Sequence, residues 1–147
     1  MAKQINNVAM AVSSDVGDSL NVHPIDKKPV GERLAKLALK YTYKKDISAS
    51  GPQAIKAVRE KEYIVVSFSN AKKLATADQK KLIGFELLTT KGVRIKVDAF
   101  ISQLNVYLKI PEGEEIKEVM YAWQPFTRAN LISEASLPAS TFSMNIK

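Results

Sequence analysis

The sequence predicts an α+β fold in which a strand, a loop and a helix precede an antiparallel, β-rich, sandwich-like region. Two observations indicate the first part: Val8–Val12 is a continuous apolar run, and a helical repeat of apolar residues begins soon after Asp26. A third indicates the rest: beyond Gly51-Pro52 the chain consists of short β-branched and aromatic segments joined by turns, at a spacing of roughly 8–12 residues.

The apolar run Val8–Val12 lies between Asn6-Asn7 and Ser13-Ser14. A short uninterrupted run of this kind is typical of a strand buried on both faces, as in a parallel sheet. Such a strand needs neighbours, and the chain offers no second strand–helix unit to supply them. We therefore expect the neighbouring strands to come from sequence upstream of residue 1.

The helix is predicted to begin near Asp26, whose carboxylate can cap it, with Pro29 tolerated in the first turn. Gly31 costs the helix about 1 kcal/mol relative to alanine, which predicts a close approach to a neighbouring strand or loop. The apolar residues fall at i, i+4, i+7, i+8 and i+11 and form one stripe: Val30, Leu34, Leu37, Ala38 and Tyr41.

The segment Ser48–Pro52 is rich in turn-forming residues and marks the change from the helical part to the β-rich part. We therefore divide the chain into residues 1–47 and residues 48–147. Residues 124–147 contain scattered apolar side chains and two prolines, and are predicted to wrap over the rest. Strands are predicted at Tyr63–Phe68, Leu82–Thr89, Val93–Ser102 (a half-buried strand by its alternation), Leu104–Ile110 and Ile116–Trp123.

Composition limits the chemistry that the chain can perform. Its 147 residues are 46% apolar and 25% charged, which are values typical of a globular domain. The absence of cysteine excludes disulfides, thiolate zinc sites and cysteine nucleophiles, and a single histidine excludes a multi-histidine metal site. No calcium-loop spacing of Asp and Asn is present. We predict neither a metal nor a cofactor.

The net charge of +7 raises the question of nucleic-acid binding. The basic residues are mostly lysines, with four arginines, and they are spread along the chain and form no stripe interleaved with stacking aromatic residues. This distribution favours a solvated surface, and we predict no nucleic-acid partner. No apolar run is long enough to span a membrane, and no basic-then-apolar leader is present, so neither a membrane partner nor an export signal is predicted.

The segment Asp15–Pro24 contains the single histidine, His23, together with two carboxylates, Asp15 and Asp18. Imidazole titrates near neutral pH, so it can take a proton from a hydroxyl nucleophile and return it to a leaving group, while a carboxylate fixes its tautomer. His23, Asp15 and Asp18 are thus candidate catalytic residues. The alternative is a surface-loop histidine that makes a local backbone hydrogen bond.

The same loop contains Gly17-Asp18-Ser19-Leu20, which reads as the nucleophile signature of the GDSL esterases. Such an enzyme needs its histidine far downstream, whereas His23 lies four residues after Ser19 and no histidine follows. Two groups so close on one loop seldom attain the geometry of nucleophile and base. We interpret Ser19 as a coincidental match.

The segment His23–Ala35, which reads HPIDKKPVGERLA, closely resembles the histidine block of the sialate O-acetylesterase family, which are SGNH-type carbohydrate esterases. Residues Asn6–Val12 and Asp15-Val16-Gly17 resemble the strand and the Asp-x-Gly that precede this block. Later features of the family agree in order: Ser50-Gly51-Pro52, Gly84-Phe85-Glu86, Tyr121-Ala122-Trp123, Asn130-Leu131, and Leu137-Pro138-Ala139 with Phe142.

The resemblance covers the carboxyl-terminal part of such an enzyme, and residues 1–47 would be the end of its SGNH-type domain. It implies that an upstream serine attacks an acetyl ester of a sugar such as sialic acid, that the residue matching His23 acts as acid and base, and that the protein is periplasmic or secreted. The position three before His23, where many SGNH enzymes have Asp, is Leu20, so Asp15, Asp18 or a Ser-His dyad remain alternatives.

Because the family's serine and oxyanion-hole blocks would precede residue 1, the chain by itself is predicted to lack efficient esterase activity. Its uncovered apolar surfaces would then favour self-association. The alternative is a non-catalytic β-sandwich module that binds carbohydrate or a protein partner. Four aromatic residues could stack on sugar rings, although core packing is the preferred reading: Trp123, Tyr121, Tyr107 and Phe126.

Overall fold

The computed structural model describes residues 5, 8–23 and 25–147. The chain is an α+β, β-rich domain, as predicted, with 12% of residues in helix and 35% in strands. A 3-10 turn spans Ser14–Val16, and the α-helix α1 spans Lys28–Tyr41. The strands are β1 Gln53–Glu60, β2 Tyr63–Ser69, β3 Leu74–Thr76, β4 Phe85–Thr89, β5 Arg94–Lys96, β6 Ala99–Ser102, β7 Asn105–Lys109, β8 Ile116–Tyr121, β9 Leu131–Ser133 and β10 Phe142–Asn145.

The strands form two four-stranded antiparallel sheets and a two-stranded ribbon. The first sheet has the order β1-β2-β7-β6, the second has the order β10-β8-β4-β5, and β3 pairs with β9 in the ribbon. The core contains alternate residues of both sheets, which are removed from water when the inner faces meet. Its largest fully buried members include Ile64 and Leu108 of the first sheet and Leu87 and Tyr121 of the second.

The predicted strand Val93–Ser102 is two strands in the structure. Its first half, β5, pairs with β4 in the second sheet, and its second half, β6, pairs with β7 in the first sheet. The chain crosses between the sheets at Val97-Asp98, while the alternation of exposed and less exposed side chains continues through the crossing. Period-two alternation is therefore preserved even where the hydrogen-bonded partner changes.

The other strand predictions were partly correct. Strands β2, β7 and β8 match the predicted segments to within two residues at each end, and β4 forms the second half of Leu82–Thr89. The sequence analysis missed β1, β3, β9 and β10. In β1 a shift of register between Ala54 and Lys56 interrupts the alternation, which explains why its pattern was not apparent.

The amino-terminal segment differs from the prediction. Residues Val8–Val12 form no strand, and the side chains of Val8 and Met10 are 49% and 67% exposed. The reason is physical: a parallel strand exists only when a neighbouring strand pairs with it, and no strand within the described ranges lies alongside this segment.

The helix is confirmed, but three details of its prediction were wrong. It begins at Lys28, with Lys27 rather than Asp26 at the N-cap and no side-chain capping bond. Of the predicted apolar stripe only Leu37 is buried. The other residues of the stripe are partly covered or exposed to solvent. A Cβ atom on Gly31 would have nothing within 4 Å, so no close approach requires this glycine.

Among the described residues, none of the helices has the length and apolar character needed to cross a membrane. The same part of the chain contains no group of three or more His, Cys, Asp or Glu side chains placed to hold a metal ion.

Candidate active site

The loop that carries His23 is shaped by its own short polar side chains. The Asp18 carboxylate oxygen Oδ1 accepts hydrogen bonds from the backbone N–H groups of Leu20 and Asn21, at 2.7 and 3.1 Å. The side-chain oxygen of Asn21 in turn accepts the backbone N–H of His23, at 2.8 Å. These are the local bonds by which Asp and Asn form turns, so the loop conformation follows directly from its sequence.

His23 itself is exposed, and its imidazole makes no hydrogen bond within the described part of the chain. Within that part of the chain no hydrogen bond or ion pair joins the His23 ring to Asp15 or Asp18, and the catalytic role of these three residues stays a prediction. The local backbone bond expected of a surface-loop histidine involves the main-chain N–H of His23 rather than its ring. Ser19 is also exposed and shares no hydrogen bond with His23 among the described residues.

Asp15 is paired with Arg33 on α1, a residue that the sequence analysis did not select. The two guanidinium nitrogens of Arg33 donate to the two carboxylate oxygens of Asp15 at 2.7 and 2.6 Å, and one of them also donates to the carbonyl oxygen of Val12 at 2.7 Å. The side chains of Arg33 and Asp15 are 12% and 27% exposed. A bidentate, partly buried pair of this kind is strong and directional, so it fixes the start of the loop to the helix.

Replacing Arg33 by alanine should release the loop from the helix. The variant leaves Asp15 partly buried without its cation and removes the donor to Val12, at a cost of about 1–3 kcal/mol. Amide hydrogen exchange should accelerate over residues 12–18 and remain unchanged in β2. Arg33→Lys is the matched control, because lysine keeps the charge but cannot form the bidentate pair, and it should give an intermediate effect. Unchanged exchange in both variants would contradict this role of Arg33.

The loop also contacts the β-rich region. A Cβ atom on Gly17 would lie 3.8 Å from the ring of Phe126, and the guanidinium of Arg128 covers that ring at 4.8 Å from its centroid. Burial raises the pKa of Tyr121 far above its ordinary value, and the negative charge of Asp15 contributes to this increase. A cleft of about 560 Å³ is lined by the loop, the start of α1, Pro125 and Phe126.

Several motifs that carry the family resemblance meet in the β-rich region and have packing roles. Gly84, at φ +103°, accepts the N–H of Ala122 at 2.8 Å, and an added Cβ would lie 2.5 Å from the Cβ of Ala129. The buried hydroxyl of Tyr121 accepts the backbone N–H of Leu131 at 2.8 Å. Gly51 lies directly against the carbonyl of Pro138. These motifs therefore specify the fold of the β-rich region.

Asn130 joins three parts of the segment between β3 and β4. Its side-chain amide donates to Asp78 at 2.9 Å and to the carbonyl oxygen of Lys81 at 3.0 Å, and its oxygen accepts the N–H of Ile83 at 3.0 Å. The hydrogen bond from Asn130 is the main cause of a lowered pKa at the Asp78 carboxyl. Asn130 is thus a structural residue.

The aromatic residues considered for sugar stacking differ in their exposure. Core packing was the preferred prediction for these side chains. Tyr121 is buried in the core, as predicted, whereas Trp123 is 48% exposed and is not a core residue. Phe126 is partly covered by the His23 loop and Arg128, and Tyr107 lies on the outer face of the first sheet.

A second cleft, of about 900 Å³, lies between the amino-terminal segment, α1 and the β-rich region. Its lining includes the run from Val8 to Val12, which is exposed at Val8–Met10 and half-buried at Ala11 and Val12, together with Leu37 and Tyr41 of the helix and Pro138 and Phe142 of the β-rich region. The cleft therefore lies beside Val8–Val12, the segment that the sequence analysis expected to pair with neighbouring strands.

Comparison with solved structures finds a similar enzyme fold. The crystal structure of a carbohydrate acetylesterase from Xanthomonas citri superimposes with a TM-score of 0.82 and 26% sequence identity, covering 88% of this chain. The match spans only 31% of the length of that enzyme. No family model and no curated protein matches the chain.

This chain therefore has a carbohydrate esterase-like fold and corresponds to an esterase-related module, about a third of the length of its structural neighbour. The neighbour supports the carbohydrate-esterase part of the resemblance and does not distinguish the sialate O-acetylesterase family within it.

Proposed function

We propose that this chain is the carboxyl-terminal part of a carbohydrate O-acetylesterase and that it contributes the acid/base histidine, His23, to hydrolysis of acetyl esters. The observation that carries the proposal is the superposition on a carbohydrate acetylesterase over 88% of the chain. The exposed imidazole of His23, on a loop anchored to α1 by the Asp15–Arg33 pair, supports it. No other residue of this chain supplies an imidazole.

In the proposed reaction a serine from the remainder of the enzyme attacks the carbonyl carbon of the acetyl group. His23 takes the serine proton and gives it to the sugar oxygen as the ester bond breaks, and water then releases acetate by the reverse sequence. The carbonyl oxygen becomes negatively charged in this step and needs oxyanion-hole donors, which we also assign to the remainder of the enzyme.

The geometry favours Asp18 over Asp15 as a carboxylate partner for His23. Both oxygens of Asp15 are bound by Arg33, so accepting an imidazole N–H would weaken that pair. Asp18 uses only Oδ1 within the described part of the chain, which leaves Oδ2 available to accept a ring N–H. We assign Asp15 a positioning role, and a Ser-His dyad remains the alternative to Asp18.

We further propose that the substrate belongs to the O-acetylated sugars, with O-acetylated sialic acid as the specific candidate. The support for sialic acid is the resemblance of His23–Ala35 to the histidine block of the sialate O-acetylesterase family. Comparing acetate release from O-acetylated sialic acid and from acetylated neutral sugars would decide between these substrates.

The exposed apolar surface on the amino-terminal segment and α1 fits the same proposal. The predicted strand Val8–Val12 and the helix stripe remain largely uncovered, and the cleft between them reaches the β-rich region. The sheet of an α/β hydrolase domain would cover this surface. A solution of the isolated chain should instead contain self-associated species, which sedimentation velocity would detect.

The experiment that tests the function uses a chimera. The segment of the Xanthomonas citri acetylesterase that aligns with this chain is replaced by this chain, and acetate release from an activated acetyl ester is measured. We expect activity in the chimera and none above background in the isolated chain or in its Ser19→Ala variant. A folded but inactive chimera would overturn the proposal, and activity of the isolated chain that is lost on Ser19→Ala would instead make Ser19 the nucleophile.

A further inference from the structure

The loop that carries His23 also carries the three most exposed large apolar side chains of the described residues, Leu20, Val22 and Ile25, which we call the apolar loop residues. They are 97%, 90% and 92% exposed, whereas no other large apolar side chain in this part of the chain exceeds 67%. A single exposed leucine is ordinary on a protein surface. Three such side chains on both sides of one histidine are a concentration of apolar surface that water disfavours.

The conformation that exposes these side chains is held by specific bonds. The Asp18 carboxylate accepts the backbone N–H of Leu20 at 2.7 Å, and the side-chain oxygen of Asn21 accepts that of His23 at 2.8 Å. The base of the loop is fixed to α1 by the bidentate ion pair described above. The loop therefore presents its apolar residues in a defined arrangement, beside an imidazole that is exposed with them.

The acid/base role proposed for His23 indicates what lies against these residues. A proton passes between a serine and an imidazole only when their heavy atoms come within about 2.6–3.2 Å. Adjacent Cα atoms are about 3.8 Å apart, so Val22 must lie where the His23 loop meets the segment that supplies the serine. The match with the Xanthomonas citri acetylesterase spans 31% of that enzyme, and the larger remainder is the natural occupant.

Two other occupants fit the loop less well. An anionic lipid surface attracts basic segments, but residues 15–26 contain three aspartates and neither lysine nor arginine. A second copy of this chain seated on the loop would occupy the side of His23 that the serine must reach. None of the apolar loop residues lines the larger cleft, so their surface is distinct from the one assigned above to the hydrolase sheet.

We propose that the apolar loop residues dock on the serine-bearing part of the esterase and hold the imidazole of His23 in its working position. They are positioning residues, because they act through His23. The ion pair on α1 fixes the start of the loop, and the docked apolar side chains fix its tip. This proposal rests on the function proposed above and extends it by naming the surface that joins the two parts of the enzyme.

The first test measures docking without measuring activity. Amide hydrogen exchange over residues 18–27 is compared between the isolated chain and the folded chimera with the Xanthomonas citri acetylesterase. We expect exchange about tenfold slower or more in the chimera, because docking restrains the loop and excludes water. The exposed turn at residues 90–93 is the internal control and should exchange equally in both proteins. Equal exchange of the His23 loop in both proteins would overturn the proposal.

The second test separates positioning from folding. In the chimera, Leu20→Ser and Val22→Ser should each lower kcat for an activated acetyl ester by about 10- to 100-fold with KM nearly unchanged, because the imidazole is displaced while the substrate site is retained. Leu20→Met and Val22→Ile keep the apolar contact and should retain kcat. Val93→Ser, which removes a side chain 54% exposed outside the loop, is the matched control and should also retain kcat.

Failure of this proposal and failure of the proposed function give different results. An active chimera whose kcat is unchanged in both serine variants would refute the positioning role and leave the function standing. A folded, inactive chimera whose loop is protected from exchange would refute the function and support the docking surface. In the isolated chain the serine variants should melt at the same temperature as the unsubstituted chain, since these side chains are already in water.

Discussion

Replacing His23 by alanine in the active chimera should reduce kcat by a factor on the order of 10⁴. Without the imidazole, the serine keeps its proton and the sugar oxygen leaves without one, so both halves of the reaction lose their acid/base group. The His23 side chain is exposed and its ring makes no hydrogen bond within the described ranges, so the substitution should leave the folded structure intact. The measurement is the initial rate of acetate release, with the melting temperature recorded in parallel.

Two further variants make this result specific. Asp18→Asn should lower kcat by a smaller factor than His23→Ala if Asp18 orients the imidazole, and should leave it nearly unchanged if the site is a Ser-His dyad. Ser19→Ala is the matched loop control, because it lies between these residues and should retain full activity. A His23→Ala chimera with undiminished kcat would refute the assignment of His23.

The largest loss of stability should come from replacing Gly51 by alanine. An added Cβ would lie 2.0 Å from the carbonyl oxygen of Pro138 and 2.8 Å from that of Leu137, and both are main-chain atoms that cannot rotate away. Their displacement would strain the hydrogen bond from the N–H of Ser140 to the carbonyl oxygen of Pro52, now 3.1 Å long. We expect a loss of about 3 kcal/mol or more, which lowers the melting temperature by roughly 6–12 °C.

Gly31→Ala is the matched control for Gly51→Ala. The same methyl group is added, but nothing lies within 4 Å of it and the site is inside a helix. Alanine has the higher helix propensity, so this variant should be more stable by about 0.5–1 kcal/mol. Thermal melts of both variants followed by circular dichroism provide the comparison. A Gly51→Ala variant as stable as Gly31→Ala would show that the Pro138 segment moves freely.

The sequence predicted those elements whose signal is local. The helix, β2, β7 and β8 have their periodicity within a single segment, and the structure contains all four. The turns around His23 also follow from nearby residues, because Asp18 and Asn21 bond backbone groups two or three positions away. The sequence did not indicate the role of Arg33, since its partner Asp15 lies 18 positions away and on a different element.

Local sequence patterns account for the α+β class, the polar loop containing the single histidine, and the order of motifs that resemble a carbohydrate esterase. Which segments pair depends on the folded arrangement of the whole chain. That arrangement divided Val93–Ser102 between two sheets, placed Gly51 against Pro138, and left Val8–Val12 without strand pairing. The physical reason is that periodicity specifies which side chains leave water, whereas strand pairing and close packing depend on partners distant in the sequence.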